Sequence, residues 1–332
     1  MRRVPSLAII LVLIWAPAQA ETYRVPRTSF GKPDLQGLWT NTALTFLQRP
    51  AMFKGLIATE TEEAMMLAGF KQFAGAIISP DPIDPNLPAP PIVSEVPQAD
   101  WIEMDLHLAR INGQPRSSWV IDPSDGKLPF TEAAKKARAD AAKAPEVFDN
   151  PENRDTQERC LTAIGSPEGP PMMNTGFNGN YQIVQTKDYV TILVEMNHDV
   201  RIIRMGEPSH LPSAIQPWLG DSIGWWENDT LVVETTNLNV KGHIFSLGGG
   251  FPYSPKTKIT ERFTRTAKDQ ILYTFSVDDP VTFTKVWRAE MPMRSAKGPI
   301  YEYACHEGNY SLPNILSGAR VAERIATSKV PD

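Results

Sequence analysis

The sequence predicts an all-β, mainly antiparallel fold: a barrel or barrel-like meander of about eight to nine strands, with a few helices at its periphery. The main observation is the stretch of residues 181–306, where short runs alternate apolar and polar residues and are separated by turn residues. Such alternation is typical of strands that bury one face. The chain also contains 30 prolines, which favour loops and short strands over long helices.

Turn residues divide this stretch into about nine candidate strands. Lys187-Asp188 and Asn228-Asp229 each stand between two apolar-polar runs and are typical of tight turns. A long meander has to protect its edge strands, and closing into a barrel does so most completely. We therefore expect function to reside inside the barrel or at its mouth. The predicted strands cover residues 181–186, 189–196, 200–205, 223–227, 230–236, 258–266, 271–277, 282–291 and 300–306.

Residues 1–20 have the organisation of a secretory signal peptide, with two arginines, an apolar run at residues 7–15 and small residues at the cleavage site. We expect cleavage near Ala20 and a periplasmic or secreted protein. The apolar run is shorter than the roughly 20 residues that span a bilayer, so no membrane span is expected. A formal net charge of −5 argues against nucleic acid and against an anionic membrane surface as partners.

Cys160 and Cys305 are the two cysteines of the chain. In an oxidising compartment such a pair most simply forms one disulfide, and a metal-binding or catalytic role is the minority alternative. Closing so long a loop would stabilise the fold by about 4–5 kcal/mol in the chain-entropy model. The bond would tie the last predicted strand to the segment that leads into the meander.

The remainder of the chain is expected to surround the barrel. Residues 21–175 contain loops and helices but lack the apolar periodicity for a core of their own, so we expect them to wrap the meander of residues 176–310. Residues 76–100 are expected to form an extended surface loop, and residues 311–332 a C-terminal tail. Together, residues 21–332 are expected to form one domain.

Two helices and one short strand are predicted before the meander. The first helix starts after Thr59, with Glu62 as its capping partner, and runs to about residue 73. The second covers residues 132–144 after the cap residue Thr131. The short strand covers residues 119–121.

Two resemblances can be stated from the motifs. Gly37-Leu38-Trp39, in PDLQGLWTN, resembles the first strand of lipocalin barrels, where the tryptophan lies across the closed end. The alternative for Trp39 is an ordinary buried aromatic residue. Over nearly the whole chain, the segments PDLQGLW, NYQIVQT, GDSIGWWENDTLVVETTN, ITERFTR and YEYACHEGNY resemble a large family of secreted bacterial proteins of unassigned function. This resemblance implies no particular activity.

His198 is the histidine that the strand pattern singles out. If residues 189–203 form one long strand, His198 shares an inward face with Met196 and Val200. A buried histidine there would titrate near neutral pH and suit acid–base catalysis. Two alternatives stay open. His198 can be a core histidine with one backbone hydrogen bond, or residues 197–199 can form a turn that breaks the strand.

Other ionisable and aromatic residues complete the predicted site. We expect His198 to act with Asp199, Arg201 and His306 as catalytic residues that exchange protons and position the substrate. The alternative for the charged residues is a solvated outer face with weak cross-strand ion pairs. Aromatic residues that line a pocket would favour a hydrophobic or cyclic ligand. The predicted substrate-binding residues are Tyr181, Glu195, His210, Trp225 and Trp287.

A metal site is an alternative chemistry. Convergence of His198, His210 and His306, with a carboxylate such as Glu195 or Glu307, would suit zinc or iron. None of these histidines has the ligand spacing of a known metal motif, so no cofactor is expected.

Serine hydrolysis is a further alternative. Residues 220–224 match the G-x-S-x-G nucleophile pattern around Ser222, and Asp278 or Asp279 and then His306 follow in hydrolase order. That motif requires a strand before the serine and a helix after it. The sequence predicts a turn and a strand there instead.

The sequence therefore leaves two main classes of function. In the first, the protein is a cofactor-independent enzyme that acts by acid–base chemistry on a small hydrophobic or aromatic compound in the barrel. In the second, it is a lipocalin-like binder of such compounds, without chemistry. The ionisable residues near the meander favour an enzyme, because a hydrophobic carrier does not need them.

Overall fold

The computed structural model describes residues 23–78, 106–206 and 209–328. The predicted signal peptide and residues 79–100 of the predicted surface loop lie outside this part of the chain. The described helices are α1 (Glu60–Ile78), α2 (Glu132–Ala141) and α3 (Ser311–Thr327). The described strands are β1 (Gly37–Thr40), β2 (Arg110–Ile111), β3 (Gln114–Pro115), β4 (Val120–Asp122), β5 (Asn180–Gln185), β6 (Tyr189–Val194), β7 (Val200–Met205), β8 (Asp221–Glu227), β9 (Thr230–Thr236), β10 (His243–Ser246), β11 (Gly249–Pro252), β12 (Lys258–Ala267), β13 (Gln270–Asp278) and β14 (Trp287–Ser295).

Nine strands close into a mixed barrel, which confirms the predicted fold class. Their order is β1-β5-β6-β7-β8-β9-β12-β13-β14, and pairing of β1 with β14 completes the circle. Neighbouring strands are antiparallel except β7 and β8, which are parallel. β14 pairs with β4 near its start and with β1 near its end, so these two short strands close the same gap.

Alternation builds the core of the barrel. In β13 and β14 every second side chain points inward and is buried, because successive side chains of a strand point to opposite faces. Asn228, in the turn between β8 and β9, has a φ of 53°, a left-handed value that asparagine tolerates. The turn therefore reverses the chain without a glycine.

The lower end of the barrel, where the β5–β6 and β8–β9 turns lie, is closed by Trp39. This side chain is buried, and its indole Nε1 donates a hydrogen bond of 2.9 Å to the carbonyl of Leu35. The guanidinium of Arg265 lies 5.3 Å from the centre of the Trp39 ring. An arginine over an indole face adds a cation–π attraction to the apolar packing.

The upper end of the barrel is filled by residues 166–175, here called the plug. Each residue of the plug is buried. The Pro170 carbonyl accepts a hydrogen bond of 2.8 Å from the Tyr253 hydroxyl, and the Met172 N–H donates one of 2.9 Å to the Tyr273 hydroxyl. These bonds offset the cost of burying irregular backbone. The interior is thus occupied by the chain itself, with Met172 in the main apolar core.

Capping fixes the starts of the two predicted helices. The Thr59 N–H donates to the Glu62 carboxylate at 2.8 Å, and the Glu62 N–H donates to the Thr59 hydroxyl at 3.2 Å, as in a capping box. The Thr131 hydroxyl accepts from the Ala134 N–H at 3.1 Å at the start of α2. The region predicted as a C-terminal tail contains α3. Among the described residues, no helix is long and apolar enough to cross a membrane.

The part of the chain before β5 contributes to two apolar clusters. Trp119 and Leu128 belong to the main core of the barrel. A separate small cluster joins α1 to the neighbouring loops, with Leu44, Phe53 and Leu108 among its buried members. The early segments therefore pack on the barrel and also on one another.

The structure has two strands at residues 189–205, as predicted, and does not form the single strand at residues 189–203 on which the inward placement of His198 depended. β6 ends at Val194, and residues 195–199 form a tight turn, here called the β6–β7 turn. Asn197 and His198 have φ values of 59° and 47°, which are left-handed and incompatible with a strand. The alternative prediction of a turn at residues 197–199 is confirmed.

The β6–β7 turn changes which residues of β7 face the interior. Arg201 and Ile203 are buried, whereas Val200 and Ile202 are exposed. The single-strand alternative places Val200 on an inward face together with His198. The reversal also leaves His198 exposed at the upper end instead of buried among apolar side chains.

The predicted last strand, at residues 300–306, is also wrong. This segment is irregular and ends in a turn. β14 already pairs with β13 on one side and with β1 and β4 on the other, so the closed barrel has no free edge for another strand. β14 itself starts at Trp287, later than predicted, because the N–H of Phe283 is engaged in a turn with the Asp279 carbonyl at 2.8 Å.

Cys160 and Cys305 form a disulfide, as predicted. It helps to hold residues 296–310, here called the covering loop, which starts after β14 at the lower end of the barrel and reaches the upper end at Tyr301 and Tyr303. The hairpin of β10 and β11 also lies at this end and was not predicted, because its Gly-rich sequence has no alternation of polar and apolar residues.

Candidate functional site

A buried ion pair crosses the barrel interior near its upper end. Arg201 on β7 donates two hydrogen bonds to the carboxylate of Glu261 on β12, at 2.8 and 2.5 Å. The Tyr273 hydroxyl donates to the same carboxylate at 2.6 Å. Both charged side chains are at most 1 % exposed. Burial opposes the charge on Arg201, but the adjacent Glu261 raises the arginine pKa above its usual value, so the pair stays ionised.

Glu168 lies in the plug and faces this ion pair. Its Oε1 accepts a hydrogen bond of 3.0 Å from the Ala163 N–H. Burial raises the pKa of Glu168 to about 8; the charge of Asp199 adds to this rise, and that of Arg201 opposes it. A carboxyl group with such a pKa is largely protonated at neutral pH and can donate a proton.

Asp199 and His198 form the rim of the site. Burial raises the pKa of Asp199 to about 6, although the nearby His198 lowers it. The Nδ1 of His198 lies 3.1 Å from the carbonyl oxygen of Tyr303, and the rest of the ring is exposed. At neutral pH Asp199 is therefore mostly a carboxylate, while Glu168 is mostly an acid.

Four buried polar atoms in this region have no hydrogen-bond partner within the described residues. They are Glu168 Oε2, Asp199 Oδ2, Arg201 Nε and Asn197 Nδ2. Buried polar atoms are almost always paired, so a group of unpaired ones requires an explanation. Two acceptors or acids and two donors together are suited to a polar group of a ligand.

Three tyrosines surround the carboxyl groups. Tyr181, Tyr253 and Tyr273 are buried, and burial raises the pKa of each hydroxyl above its usual value. Their hydroxyl groups therefore stay protonated and act as hydrogen-bond donors or acceptors. Tyr181 donates to Asn41 Oδ1 and the Met173 carbonyl, each at 3.3 Å.

The covering loop fastens the upper end of the site. The Tyr301 N–H donates to Glu195 Oε1 at 3.0 Å, and Asn180 Nδ2 donates to Glu195 Oε2 at 2.7 Å. Both oxygens of this buried carboxylate are thus paired, so Glu195 anchors the loop instead of contacting a substrate. His306 lies exposed on the same loop, next to the disulfide.

The structure thus brings together His198, Asp199 and Arg201 at the upper end, with Tyr181 buried nearby. It does not bring His210, Trp225 or Trp287 to this site. His210 Nδ1 lies 2.9 Å from Asp221, and Trp225 is 37 % exposed on the outer surface. Trp287 is fully buried against Phe251 and Phe275 and belongs to the core.

His210 belongs to a surface ion-pair cluster. Its Nε2 lies 3.2 Å from Glu234, and Arg204 donates to Asp221 at 3.0 Å. Burial alone would raise the pKa of Asp221, but hydrogen bonds from Leu211, His210 and Arg204 lower it below its usual value. This cluster ties the loop after β7 to β8 and β9.

The two alternative chemistries have no assembled site. Within the described residues, no three His, Cys, Asp or Glu side chains are grouped as metal ligands would be, so the proposed convergence of three histidines is not formed. The Ser222 hydroxyl lies inside β8, 2.8 Å from the Thr235 hydroxyl. Asp279 accepts hydrogen bonds from Ser254 and Thr257, at 2.7 and 3.0 Å. Strand geometry on both sides of Ser222 lacks the turn of a nucleophile elbow.

Sequence reasoning missed Glu168, Glu261 and the roles of Tyr253 and Tyr273. A signal for Glu261 was present, because it stands between Ile259 and Phe263 on the apolar face of β12. A glutamate in such a position needs a buried cationic partner. Glu168 lies in an irregular segment, where no periodicity indicates which residues are buried.

Comparison of the chain with protein-family models, with curated proteins and with solved structures found no match. The family resemblance inferred from the sequence motifs stays a prediction.

Proposed function

We propose that this protein is an enzyme that uses no cofactor and performs acid–base chemistry on a small hydrophobic or aromatic compound at the upper end of its barrel. The proposal rests on two carboxyl groups, Glu168 and Asp199, that lie near each other and near the ionised Arg201. Each carboxyl has one oxygen without a hydrogen-bond partner among the described residues. Such a set supports proton transfer to and from a bound molecule.

The two carboxyl groups have different roles. Asp199, with a pKa raised by burial to about 6, is a carboxylate at neutral pH and serves as the base. Glu168, with a pKa raised by burial to about 8, is protonated and serves as the acid. Pairs of carboxyl groups whose environments separate their pKa values in this way are typical of acid–base catalysis.

Arg201 provides the positive charge of the site. Its two terminal nitrogens hold Glu261, while Nε has no partner within the described residues. A preorganised donor in a water-poor site stabilises negative charge that develops on a substrate. His198 and His306 lie further out, and we propose that they orient the substrate at the rim.

The surroundings support a hydrophobic or aromatic substrate. Met172, Met173 and Tyr181 are fully buried around the ion pair, so they form the apolar base of the site, and a substrate would approach them from the rim at Asp199 and His198. Apolar walls with a few converging polar groups are typical of small-molecule sites. The disulfide supports a periplasmic or secreted location, because such bonds persist in oxidising compartments.

Proton abstraction from 5-nitrobenzisoxazole tests the proposal without knowledge of the natural substrate. In this reaction a base takes the ring C–H proton, the C–H electrons form a nitrile as the N–O bond breaks, and the phenolate that leaves is stabilised by a hydrogen bond from an acid or from water. We expect the rate to rise near pH 6 as Asp199 ionises and to fall near pH 8 as Glu168 loses its proton. Asp199→Asn lowers the rate about 100-fold, the usual contribution of a positioned base.

The controls separate catalysis from folding. Glu168→Gln removes the decrease near pH 8, since the amide does not titrate. Glu290→Gln is the matched control, because Glu290 lies on the outward face of β14 and pairs with Arg116 at 2.7 Å. An Asp199→Asn rate equal to that of the unsubstituted protein would sink the proposal. If the unsubstituted protein and all variants bind a small hydrophobic ligand but none shows turnover, the result would favour a non-catalytic binding protein over an enzyme.

A further inference from the structure

An apolar groove separates α2 from the hairpin of β10 and β11. Its volume is about 650 Å³. One wall is a row of alanines on α2, and the other contains the buried side chains of Phe251 and Tyr253. α2 has no buried residue, so the helix lies over the hairpin without packing into it. The groove is therefore an opening between two formed elements, and it shares Tyr253 with the surroundings of the acid–base site.

We infer that this groove binds an aromatic anion, a compound of about one or two rings that carries a carboxylate or sulfonate. Its volume falls within the range of small-molecule sites, roughly 300–1,000 Å³. The ring of Phe251 stands at 79° to that of Tyr253, with centroids 6.3 Å apart. Phe251 is 2 % exposed and Tyr253 is 7 % exposed, so a planar ligand would contact the small part of each ring that reaches the groove.

The charge at the edge of the groove specifies an anion. Arg138 on α2 is exposed, donates a hydrogen bond of 2.6 Å to the Gly250 carbonyl and lies 4.6 Å from the centre of the Phe130 ring. Within the described part of the chain, Arg138 forms no ion pair with a carboxylate. Its positive charge is thus held at the groove without a counterion from those residues.

Two ionisable side chains, Arg138 and His243, line the groove. His243 Nε2 lies 3.4 Å from the carboxylate of Asp155. The carboxylate of Asp279, next to the lining residue Thr282, is buried and does not line the groove. Arg138 is therefore the permanently charged side chain of the lining. This inference does not depend on the acid–base proposal, because it concerns binding alone.

A pair of fluorescent probes tests the inference. 8-Anilinonaphthalene-1-sulfonate is an aromatic anion, and N-phenyl-1-naphthylamine is its neutral counterpart. We expect both to bind, the anion more tightly. Ala137→Trp fills the groove and lowers the affinity for both probes about tenfold or more. Ala139→Trp is the matched control, because Ala139 lies on the same helix but does not line the groove, and it leaves both affinities unchanged.

Charge variants test the class of ligand. Arg138→Gln lowers the affinity for the anionic probe about fivefold or more and leaves the neutral probe unaffected, whereas Arg138→Lys keeps most of the anion binding. The inference is overturned if the unsubstituted protein binds neither probe. It is also overturned if Ala137→Trp binds both as before, or if Arg138→Gln affects the two probes equally. Turnover by the acid–base site is not measured in these titrations, so failure of one proposal leaves the other standing.

Discussion

Glu168 is the residue whose environment departs furthest from that of an ordinary surface carboxyl. It lies in a buried, irregular segment, where one carboxyl oxygen accepts a hydrogen bond from Ala163 and the other has no partner within the described residues. The protonated form is favoured because burial penalises the charge. A glutamine at this position has the same shape and could accept the same hydrogen bond from the Ala163 N–H. The protein has a titratable glutamate there instead, which supports a role in acid–base chemistry.

The pH dependence of stability tests the state of Glu168. Folding raises its pKa from 4.5 to about 8, so the folded state retains a proton that the unfolded chain releases. The stabilisation is fully present below pH 4.5 and is lost as the pH rises to about 8. Relative to the unsubstituted protein, Glu168→Gln should therefore gain roughly 1 kcal/mol of unfolding free energy per pH unit over this range.

Urea unfolding of both proteins at half-unit pH steps measures this difference. Other titrating groups contribute equally to the two curves, so they cancel in the comparison. A difference in unfolding free energy that stays constant with pH would show that Glu168 titrates near its ordinary value.

Residues on regular strands were predictable, and residues in irregular segments were not. Arg201 and Tyr181 were identified from the sequence because they lie on strands whose alternation is visible. The orientation of Arg201 was nevertheless missed, since the left-handed Asn197 and His198 restart the alternation. Left-handed φ at two successive residues depends on the closing of the hairpin, and no local preference of histidine indicates it.

At the scale of elements, the covering loop and the β6–β7 turn act as one unit. The Tyr301 N–H binds Glu195, and the Tyr303 carbonyl lies beside His198. The loop was predicted as a strand because its sequence alternates, but the completed barrel offers no edge to pair with. Its position is determined instead by the disulfide and by hydrogen bonds to the turn, which a sequence pattern does not reveal.

Replacing both Cys160 and Cys305 by serine tests this unit. We expect the unfolding free energy to decrease by about 2–5 kcal/mol, because the unfolded chain gains the freedom of a long open loop. Hydrogen exchange of the Tyr301 amide should accelerate strongly, while amides of β12 and β13 change only with global stability. Unchanged protection of Tyr301 in the double variant would show that the loop is held without the disulfide.

At the scale of the whole molecule, the barrel depends on a short strand for closure. β1 has four residues, yet it pairs with β5 on one side and with β14 on the other. Its Trp39 is buried and points toward the lower end, where it contacts Leu35 and Arg265. The strand order, including the parallel pairing of β7 with β8, was not predictable. The sequence between β7 and β8 contains no pattern that indicates a parallel return of the chain.

Trp39→Ala should lower the unfolding free energy by about 3–5 kcal/mol, because it removes a buried indole and leaves a cavity. Trp225→Ala is the matched control. Trp225 is 37 % exposed on the outer surface, so its loss should cost about 1 kcal/mol or less. Chemical denaturation measures both values. Equal costs for the two variants would contradict the closing role of Trp39.

The disulfide between Cys160 and Cys305 has a topological consequence for the barrel. Eight of the nine barrel strands lie between these cysteines, and β1 lies before them. Exposed residues 141–148 separate the two parts of the chain. A protease cut there leaves an N-terminal fragment that contains α1, α2 and β1–β4 and a second fragment that is cyclised by its own disulfide. The two fragments would then stay associated without a covalent bond between them, through the pairing of β1 with β5 and β14 and of β4 with β14.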